Sequence, residues 1–304
     1  MKHSPHSALI DSGVQVRARV IATFGRQSLI DDAVCIRQAT RRGRRGDVVV
    51  GDCVHATATS TEQARIESIE PRSTLLFRAE QYRIKELAAN VDQVIIVFAA
   101  RPAFNRWFIW KALVAASAAG IEALVLRNKT DLPESDDATL FLQQISRLGW
   151  RSLALSAKVD SERTRELLMH QVAGRKTLMV GQSGMGKSTL LNLLLPDAGA
   201  RTREYSERLN AGKQTTTASR WFSFNGDSAL VDTAGFEEFG LAHLNFSEIA
   251  ATFPEFSVLL GHCRFQDCRH LEEPGCAVRS ALAAGDVAPE RYEFYRALAA
   301  ASLT

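Results

Sequence analysis

Residues 177–195 read TLMVGQSGMGKSTLLNLLL, and this stretch decides the fold. Its centre, residues 181–188, has the form GxxxxGK[ST] of a phosphate loop, in which glycines allow backbone N–H groups to wrap a phosphate at the start of a helix. The apolar run before the loop predicts a strand and the leucine-rich run after it predicts a helix, as this loop requires. We therefore predict a nucleoside triphosphate site built from Gly181, Gln182, Ser183, Gly184, Met185, Gly186, Lys187, Ser188 and Thr189.

A second motif predicts which base this site selects. Asn128-Lys129-Thr130-Asp131 follows an apolar strand candidate and has the NKxD form. The Asp131 carboxylate can accept hydrogen bonds from the ring N–H and the exocyclic amine of guanine, a donor pair that adenine lacks. We predict a guanine site, against the alternative of a generic ATPase. Three residues at the next strand end are expected to support it: Ser156, Ala157 and Lys158.

Two later segments are predicted to respond to the γ-phosphate as switches. Asp232-Thr233-Ala234-Gly235 has the DxxG form, in which the aspartate holds Mg²⁺ through water and the glycine N–H meets the γ-phosphate. A glycine-led loop ahead of it carries three hydroxyls for the metal, those of Thr215, Thr216 and Thr217. Loss of the γ-phosphate removes a ligand of both segments, so hydrolysis should loosen them. The predicted catalytic residues are Lys187 on the β- and γ-phosphates, Ser188 on Mg²⁺, Asp232 and Gly235.

The order of these motifs predicts a circularly permuted GTPase domain. NKxD at 128 precedes the phosphate loop at 181, whereas ordinary GTPases have the reverse order. Permutation keeps a site intact in space when the original termini are close together. Apolar strands alternate with amphipathic helices throughout this region, which predicts a parallel sheet covered on both faces. The strand candidates are 94–98, 123–126, 153–155, 177–180 and 229–231, and the last follows a hairpin turn at Asn225-Gly226.

The N-terminal 80 residues predict an all-β module of about five strands, for which an OB-type barrel fits. Strand candidates are 14–20, 48–50, 53–54 and 64–66. Five arginines fall in nine residues without an acid, which predicts a loop that either binds RNA or is merely solvated. They are Arg37, Arg41, Arg42, Arg44 and Arg45. The candidate RNA-binding residues are Arg41, Arg42, Arg44 and Arg45.

The C-terminal region carries Cys263-x₄-Cys268-x-His270-x₅-Cys276, three thiols and one imidazole in a short segment. Such a set suits a closed, structural, tetrahedral Zn²⁺ site. The alternatives are buried thiols or a chance cluster, and His262 is a competing ligand. Helical stretches are predicted at 246–253 and 290–302. Cys35 and Cys53 are predicted to be small core residues.

Composition excludes several classes of protein. The chain has 304 residues, 46% hydrophobic and 23% charged, which argues against disorder, collagen and coiled coils. Its longest strictly apolar run, residues 94–100, is far shorter than the roughly 18 residues of a membrane-spanning helix. The net charge of +3 is too small by itself to indicate a nucleic-acid partner. Because no apolar stretch follows the basic N-terminus, we expect no secretory signal.

We expect a cytoplasmic monomer without disulfides, with domains at 1–80, 81–245 and 246–304.

The permuted motif order, the barrel and the Cys₃His set together resemble the family of ribosome small-subunit-dependent GTPase A (RsgA). Further similar segments are IEPRSTLLFR at 69–78, DTAGFEEFGL at 232–241 and FPEF at 253–256. The resemblance implies a GTPase that binds the small ribosomal subunit late in its maturation, contacts rRNA through the barrel and zinc modules, and leaves after hydrolysis. The alternative is a GTP-gated RNA-binding scaffold with negligible turnover.

The chain departs from the family pattern in the loop before the threonines. Gln214 follows Gly212-Lys213 where the family usually has histidine after Gly-Arg, and the motif at 232–235 is DTAG instead of DTPG. Phe236 also stands where Ras-like enzymes place a water-orienting glutamine. We predict that Gln214 orients the attacking water, because an amide can orient water although it cannot act as a base at neutral pH.

Overall fold

The computed structural model of the protein describes residues 13–41, 48–80, 83–132, 136–208, 219–233 and 238–301. Its N-terminal part is a closed five-stranded barrel. The strands pair in the order β1-β2-β3-β5-β4, and β4 pairs back onto β1; β3 and β5 are parallel and the other neighbours antiparallel. This arrangement confirms the predicted OB-type barrel. The strands are β1 (Gln15–Phe24), β2 (Gln27–Asp31), β3 (Ile36–Arg41), β4 (Cys53–Ala58) and β5 (Gln63–Ile69).

The barrel differs from the sequence prediction in its local detail. Residues 48–50 are not a strand, because Val50 makes only an isolated bridge to Ala88. Arg37 lies inside β3 instead of a loop; its side chain is 2% exposed and forms an ion pair with Asp32, which offsets the cost of burying the charge. Arg41 is the last residue of the same strand. Arg42, Arg44 and Arg45 lie outside the described residues.

The two cysteines of the barrel are also placed differently from the prediction. Cys35 precedes β3, and Cys53 begins β4. Both side chains are half-buried, so neither is a core residue. The barrel core instead consists of small and β-branched residues from all five strands, among them Val20, Ile30, Ala39, Val54 and Ile66.

A hairpin that sequence analysis missed follows the barrel and spans the predicted domain boundary near residue 80. It consists of β6 (Leu75–Glu80) and β7 (Arg83–Ala89), paired antiparallel. At one end the Ala89 N–H donates to the Val50 carbonyl at 3.0 Å. Along β6, the Ala79 N–H donates to the Glu238 carbonyl, also at 3.0 Å. The hairpin therefore contacts both the barrel and the chain that follows the predicted switch at 232–235.

The central part is an α/β sheet with strand order β10-β9-β8-β11-β13-β12. The first five strands are parallel, and β12 joins β13 through a turn in which Asn225 and Gly226 both have positive φ. These elements confirm the predicted permuted GTPase fold. They are β8 (Gln93–Ala99), β9 (Glu122–Asn128), β10 (Arg151–Ala154), β11 (Lys176–Val180), β12 (Ser219–Phe224) and β13 (Ser228–Thr233), with helices α1 (Arg106–Ala118), α2 (Asp136–Arg147), α3 (Ser161–Val172), α4 (Lys187–Leu194) and α5 (Ala198–Arg208).

The barrel and the sheet are joined edge to edge. Ala22 of β1 pairs with Arg220 of β12, so the barrel strands continue the central sheet. The Arg19 guanidinium lies 4.9 Å from the centre of the Trp221 ring and donates to the Gly51 carbonyl at 2.7 Å. The joint therefore consists of both backbone pairing and side-chain packing.

The C-terminal part is a helical module packed on α1. Its helices are α6 (Phe246–Ala251), α7 (Pro254–Ser257), α8 (Ala277–Ala284) and α9 (Pro289–Ala301). Arg291 forms a buried ion pair with Glu255 at 2.6 Å and lies over the rings of Trp110 and Phe253. Phe294 packs on Trp110 with ring centres 5.3 Å apart.

Throughout the part of the chain that the structure describes, no helix has the length and apolarity needed to cross a membrane.

Candidate guanine-nucleotide and metal sites

The predicted nucleotide motifs meet at the carboxyl ends of the parallel strands, where ligands bind in open α/β sheets. The phosphate loop follows β11, residues 128–131 follow β9, residues 156–158 follow β10, and Asp232 lies at the end of β13. Between them is a cavity of about 430 Å³, a size typical of small-ligand sites. Its lining residues are Lys129, Lys158, Ser183, Gly184, Gly186, Lys187, Ser188 and Thr189.

Lys187 is held in place by the phosphate loop itself. It is the first residue of α4, and its Nζ donates to the carbonyls of Gly181 and Gln182, the latter at 3.0 Å. Burial lowers the pKa of Lys187, and the negative charge of Asp232 opposes that effect. The ammonium is therefore positioned at the start of a helix, where phosphate binds, by the backbone of the same loop.

Two glycines of the phosphate loop allow its close approach to neighbouring strands. A Cβ at Gly186, where φ is +95°, would lie 2.3 Å from Nδ2 of Asn128. A Cβ at Gly181, where φ is +155°, would lie 2.3 Å from the Val97 carbonyl oxygen. A side chain at Gly186 would push the phosphate loop away from Asn128, and a side chain at Gly181 would push it away from β8.

The Asn128 side chain links the end of β9 to two other loops through hydrogen bonds. Its side chain is 2% exposed; Nδ2 donates to the Met185 carbonyl at 3.0 Å, and Oδ1 accepts from the Ala157 N–H at 3.2 Å. Lys129 makes a parallel connection, because its Nζ donates to the Gly184 carbonyl at 2.6 Å and to the Arg101 carbonyl at 3.0 Å. Residues 128–129, which are predicted to recognise the base, and the phosphate loop therefore form one connected unit.

The Asp131 side chain is favoured in its ionised form, which accepts hydrogen bonds. The Ser156 hydroxyl donates to Asp131, and this bond holds the pKa of the Asp131 carboxyl below its usual value. Ser156 is itself fixed, since its carbonyl accepts from the Thr164 hydroxyl at 2.8 Å. The exposed Asp131 carboxylate keeps further acceptor sites for a base that presents two N–H donors.

Sequence analysis missed a loop that flanks the phosphate loop. Residues 100–105 follow β8, and the Asn105 N–H donates to Oε1 of Gln182 at 2.7 Å. Asn105 also caps α1, since its side chain accepts from the N–H groups of Trp107 and Phe108. The cap could have been predicted from the sequence, because an asparagine precedes a helical run. The contact with Gln182 could not have been predicted, because it joins residues 77 positions apart.

Asp232, the residue predicted to hold Mg²⁺ through water, is close enough to Lys187 for their charges to interact, and an arginine that sequence analysis did not single out is opposite it in the sheet. Arg220 lies opposite Asp232 in the β12–β13 ladder and is 6% exposed. Burial raises the pKa of Asp232, while the charges of Arg220 and Lys187 oppose the rise. Ser188 and Asp232 offer hydroxyl and carboxylate oxygens, the donor types that Mg²⁺ prefers, so the residues present fit the ion. Counting back from a two-residue turn at Asn225-Gly226 would have paired residue 220 with 231. In the structure Phe224 pairs with Ser228, so the turn has three residues and residue 220 is opposite 232.

The four cysteine and histidine residues of the C-terminal prediction form one cluster. The ligand atoms of Cys263, Cys268, His270 and Cys276 all lie within 4.8 Å of one another. Nδ1 of His270 is 3.5 Å from Sγ of both Cys263 and Cys276. Tetrahedral zinc with usual Zn–S and Zn–N bond lengths separates such atoms by about 3.6 Å, so the set fits Zn²⁺.

The backbone of the cluster is held by hydrogen bonds from helix α9. Burial, with the neighbouring thiols, raises the pKa of Cys268 to about 12, whereas a coordinated thiol is deprotonated outright. The hydroxyls of Tyr292 and Tyr295 on α9 donate to the carbonyls of His270 and Arg269, both at 2.7 Å. His262, the competing ligand of the sequence analysis, is exposed and lies outside the cluster.

Comparison with known proteins identifies the family. Residues 69–242, more than half of the chain, match the family model described as RsgA GTPase. The chain belongs to the RsgA GTPase family. It is 42% identical over 303 residues, 97% of this chain and 96% of the relative, to the small ribosomal subunit biogenesis GTPase RsgA of Paraburkholderia phytofirmans. It is 43% identical over 289 residues, 94% of this chain and 92% of the relative, to that of Burkholderia pseudomallei.

Solved structures of two related proteins have the same architecture. YjeQ from Thermotoga maritima superposes with a TM-score of 0.70 and is 28% identical, covering 95% of this chain and 99% of that protein. YloQ, described as a circularly permuted GTPase, has a TM-score of 0.67 over 98% of both chains. At 22% identity the second likeness shows the fold alone.

Some predicted RsgA site residues fall outside the described part of the chain. Among them are Gln214 and the remaining switch residues Thr215, Thr216, Thr217, Ala234 and Gly235. The roles of these residues, like those of the predicted site residues that the structure describes, remain predictions.

Proposed function

We propose that this protein is a GTP hydrolase that binds the small ribosomal subunit and assists its late maturation, with hydrolysis coupled to its release. The observation that carries the proposal is the likeness along nearly the whole chain to proteins named for small ribosomal subunit biogenesis. The cavity supports the same conclusion, because the residues that would select guanine are bonded directly to the phosphate loop.

The chemistry proposed for this site is transfer of the γ-phosphoryl group to water. Lys187 would exchange its carbonyl partners for β- and γ-phosphate oxygens and neutralise charge that develops on them. Ser188 directly, and Asp232 through water, would hold Mg²⁺, which supplies further charge neutralisation when bound. The phosphate loop and the residues that follow β9 and β10 would position the nucleotide, so the protein would contribute orientation and electrostatics instead of a covalent intermediate.

Steady-state GTP hydrolysis with and without purified small subunits tests the proposed function. We expect turnover to rise several-fold with small subunits and to stay at its basal rate with large subunits. A Lys187→Ala variant should abolish both rates, which excludes contaminating GTPases. If small subunits bind but turnover stays negligible, the protein is instead a GTP-gated scaffold.

We propose that Gln214 orients the attacking water. Gln214→Ala is expected to lower kcat by about tenfold to a hundredfold, because one positioned hydrogen bond to the nucleophile is lost, with GTP affinity unchanged. Gln214→His is the matched control, since histidine is usual at this place in the family, and it should keep most of the turnover. If Gln214→Ala leaves the subunit-stimulated rate unchanged, another residue positions the water.

We propose that Arg41, the last residue of β3, and the arginines that follow it in sequence contact rRNA. Changing Arg41, Arg42, Arg44 and Arg45 together to glutamine should weaken small-subunit binding. It should also lower the slope of log affinity against log salt by up to about three, since fewer counterions are released. Changing Arg163 and Arg165 on α3 to glutamine applies the same chemistry to a different surface and should leave the slope unchanged. An unchanged slope in the fourfold variant would reject the contact.

We further propose that the barrel at 1–80 and the helical module at 246–304 are the rRNA-binding parts on either side of the GTPase domain at 81–245. One Zn²⁺ bound by Cys263, Cys268, His270 and Cys276 would stabilise the helical module, and the protein would act as a monomer in the cytoplasm. Light scattering of the purified protein tests the monomer: the mass of a dimer would contradict it.

A further inference from the structure

The cap of helix α1 is completed by a residue of the phosphate loop. Asn105 caps the helix with its side chain, which accepts from the N–H groups of Trp107 and Phe108. In a capping box, the third residue of the helix returns a side-chain acceptor to the N–H of the capping residue. Phe108 stands at that position and has no acceptor to offer, whereas Oε1 of Gln182 accepts from the Asn105 N–H at 2.7 Å. The phosphate loop therefore supplies the acceptor that the helix lacks.

Gln182 also holds the lysine that would bind the phosphates. Its main-chain carbonyl accepts from Nζ of Lys187 at 3.0 Å. One residue therefore contacts Lys187 through its backbone and helix α1 through its side chain. A phosphate that draws Lys187 away from this carbonyl and binds the N–H groups of the loop would act directly on the residue that completes the cap of α1.

The same turn of α1 carries the C-terminal module. Arg106 forms an ion pair with Glu290 on α9 at 2.9 Å and another with Asp137 on α2. The Trp107 ring packs edge-on against Phe294 of α9, with ring centres 5.4 Å apart. Adjacent residues of one helical turn therefore contact the phosphate loop and the C-terminal module.

We propose that Gln182 is a positioning residue that couples nucleotide binding to the packing of the C-terminal module on α1. The inference rests on the proposed guanine-nucleotide site. Nucleotide fixes the phosphate loop, the fixed loop holds the Asn105 N–H, and the ordered first turn of α1 holds α9. Coupling between two sites is reciprocal, so the bond that strengthens the packing of the module strengthens nucleotide binding by the same factor.

Hydrogen exchange of the full-length protein, followed by mass spectrometry with and without saturating GDP, tests the coupling. In the unmodified protein we expect GDP to slow exchange in the first turn of α1 and in α9 by about fivefold, the effect of one neutral hydrogen bond. Gln182→Met removes the acceptor and keeps the length of the side chain. With GDP saturating, this slowing should fall below about twofold in the variant, whereas the phosphate loop should still be protected. The GDP affinity of the variant should be about fivefold lower.

Two further variants separate the steps of the coupling. Gln171→Met makes the same change on α3, where the glutamine accepts from Arg151, and should leave the effect of GDP on α1 and α9 unchanged. Glu290→Gln weakens the link between α1 and α9, so it should keep the slowing in α1 and reduce the slowing in α9.

Two results would overturn the proposal. Equal slowing of exchange in α9 of Gln182→Met and of the unmodified protein would show that another contact carries the coupling. Unchanged exchange in α9 of the unmodified protein with GDP bound would show that the nucleotide and the module are not coupled. Both results leave the proposed nucleotide site intact, because GDP still binds. Failure of the unmodified protein to bind GDP would overturn the nucleotide site itself, and this inference with it.

Discussion

Asp131→Asn is expected to weaken GTP and GDP binding by about a hundredfold or more. The carboxylate would accept two hydrogen bonds from guanine, and an amide that replaces it places an N–H donor against one of those donors. Each charge-assisted bond contributes about 1.5–3 kcal/mol, so losing the pair costs at least two powers of ten in affinity. The same variant should gain affinity for xanthosine triphosphate, whose carbonyl at C2 accepts from the new amide. Fluorescence titration with labelled nucleotides measures both changes.

Asp160→Asn is the control for Asp131→Asn. Asp160 is close in sequence, and its side chain caps α3 by accepting from the Arg163 N–H at 3.3 Å. Because asparagine caps helices equally well, nucleotide affinity should not change. Equal losses of ATP and GTP binding in Asp131→Asn would contradict guanine recognition by this carboxylate.

Cys276→Ser is expected to lose the metal and unfold the C-terminal module. Cys276 is buried, and the module packs its aromatic residues on Trp107 and Trp110 of α1. Structural zinc contributes about 10–16 kcal/mol to the folding of small zinc modules, so loss of the ion should unfold the segment around the cluster and loosen its packing on α1. Metal analysis should find one zinc per unmodified chain and none in the variant. Tryptophan emission should shift to the red as Trp107 and Trp110 become exposed to water.

Cys53→Ser provides the matched control for Cys276→Ser. Cys53 is a half-buried thiol in the barrel and lies outside the cluster, so zinc content and emission should stay as in the unmodified protein. GTP binding should survive in both variants because the nucleotide cavity is lined by residues 129–189. Unchanged zinc content in Cys276→Ser would contradict the assigned ligand set.

The nucleotide site was predictable because its information is local. Each motif follows a strand of continuous apolar residues, and the carboxyl ends of parallel strands meet at one edge of a sheet. The phosphate loop and Asn128 could therefore be placed in one site from their neighbours in sequence alone. The Cys₃His cluster could be predicted for the same reason, since all four candidate ligands lie within a short segment.

The features that sequence analysis missed depend on contacts between distant residues. Strand β3 was mistaken for a loop because Arg37 looks solvent-exposed until Asp32 is known to pair with it. The hairpin β6–β7 is fixed by Val50 and Glu238, which lie far from it in sequence. That Arg220 is opposite Asp232 becomes known only from the register of β12 against β13.

Cosedimentation with purified small subunits tests the central claim most directly. It compares the protein loaded with a non-hydrolysable GTP analogue and the protein loaded with GDP, with Asp131→Asn as the variant expected to bind both nucleotides about a hundredfold more weakly. We predict that the unmodified protein pellets with the subunits in the GTP-analogue state and stays in the supernatant with GDP. Equal pelleting in the two states, or no pelleting in either, would contradict a GTPase that leaves the small subunit after hydrolysis.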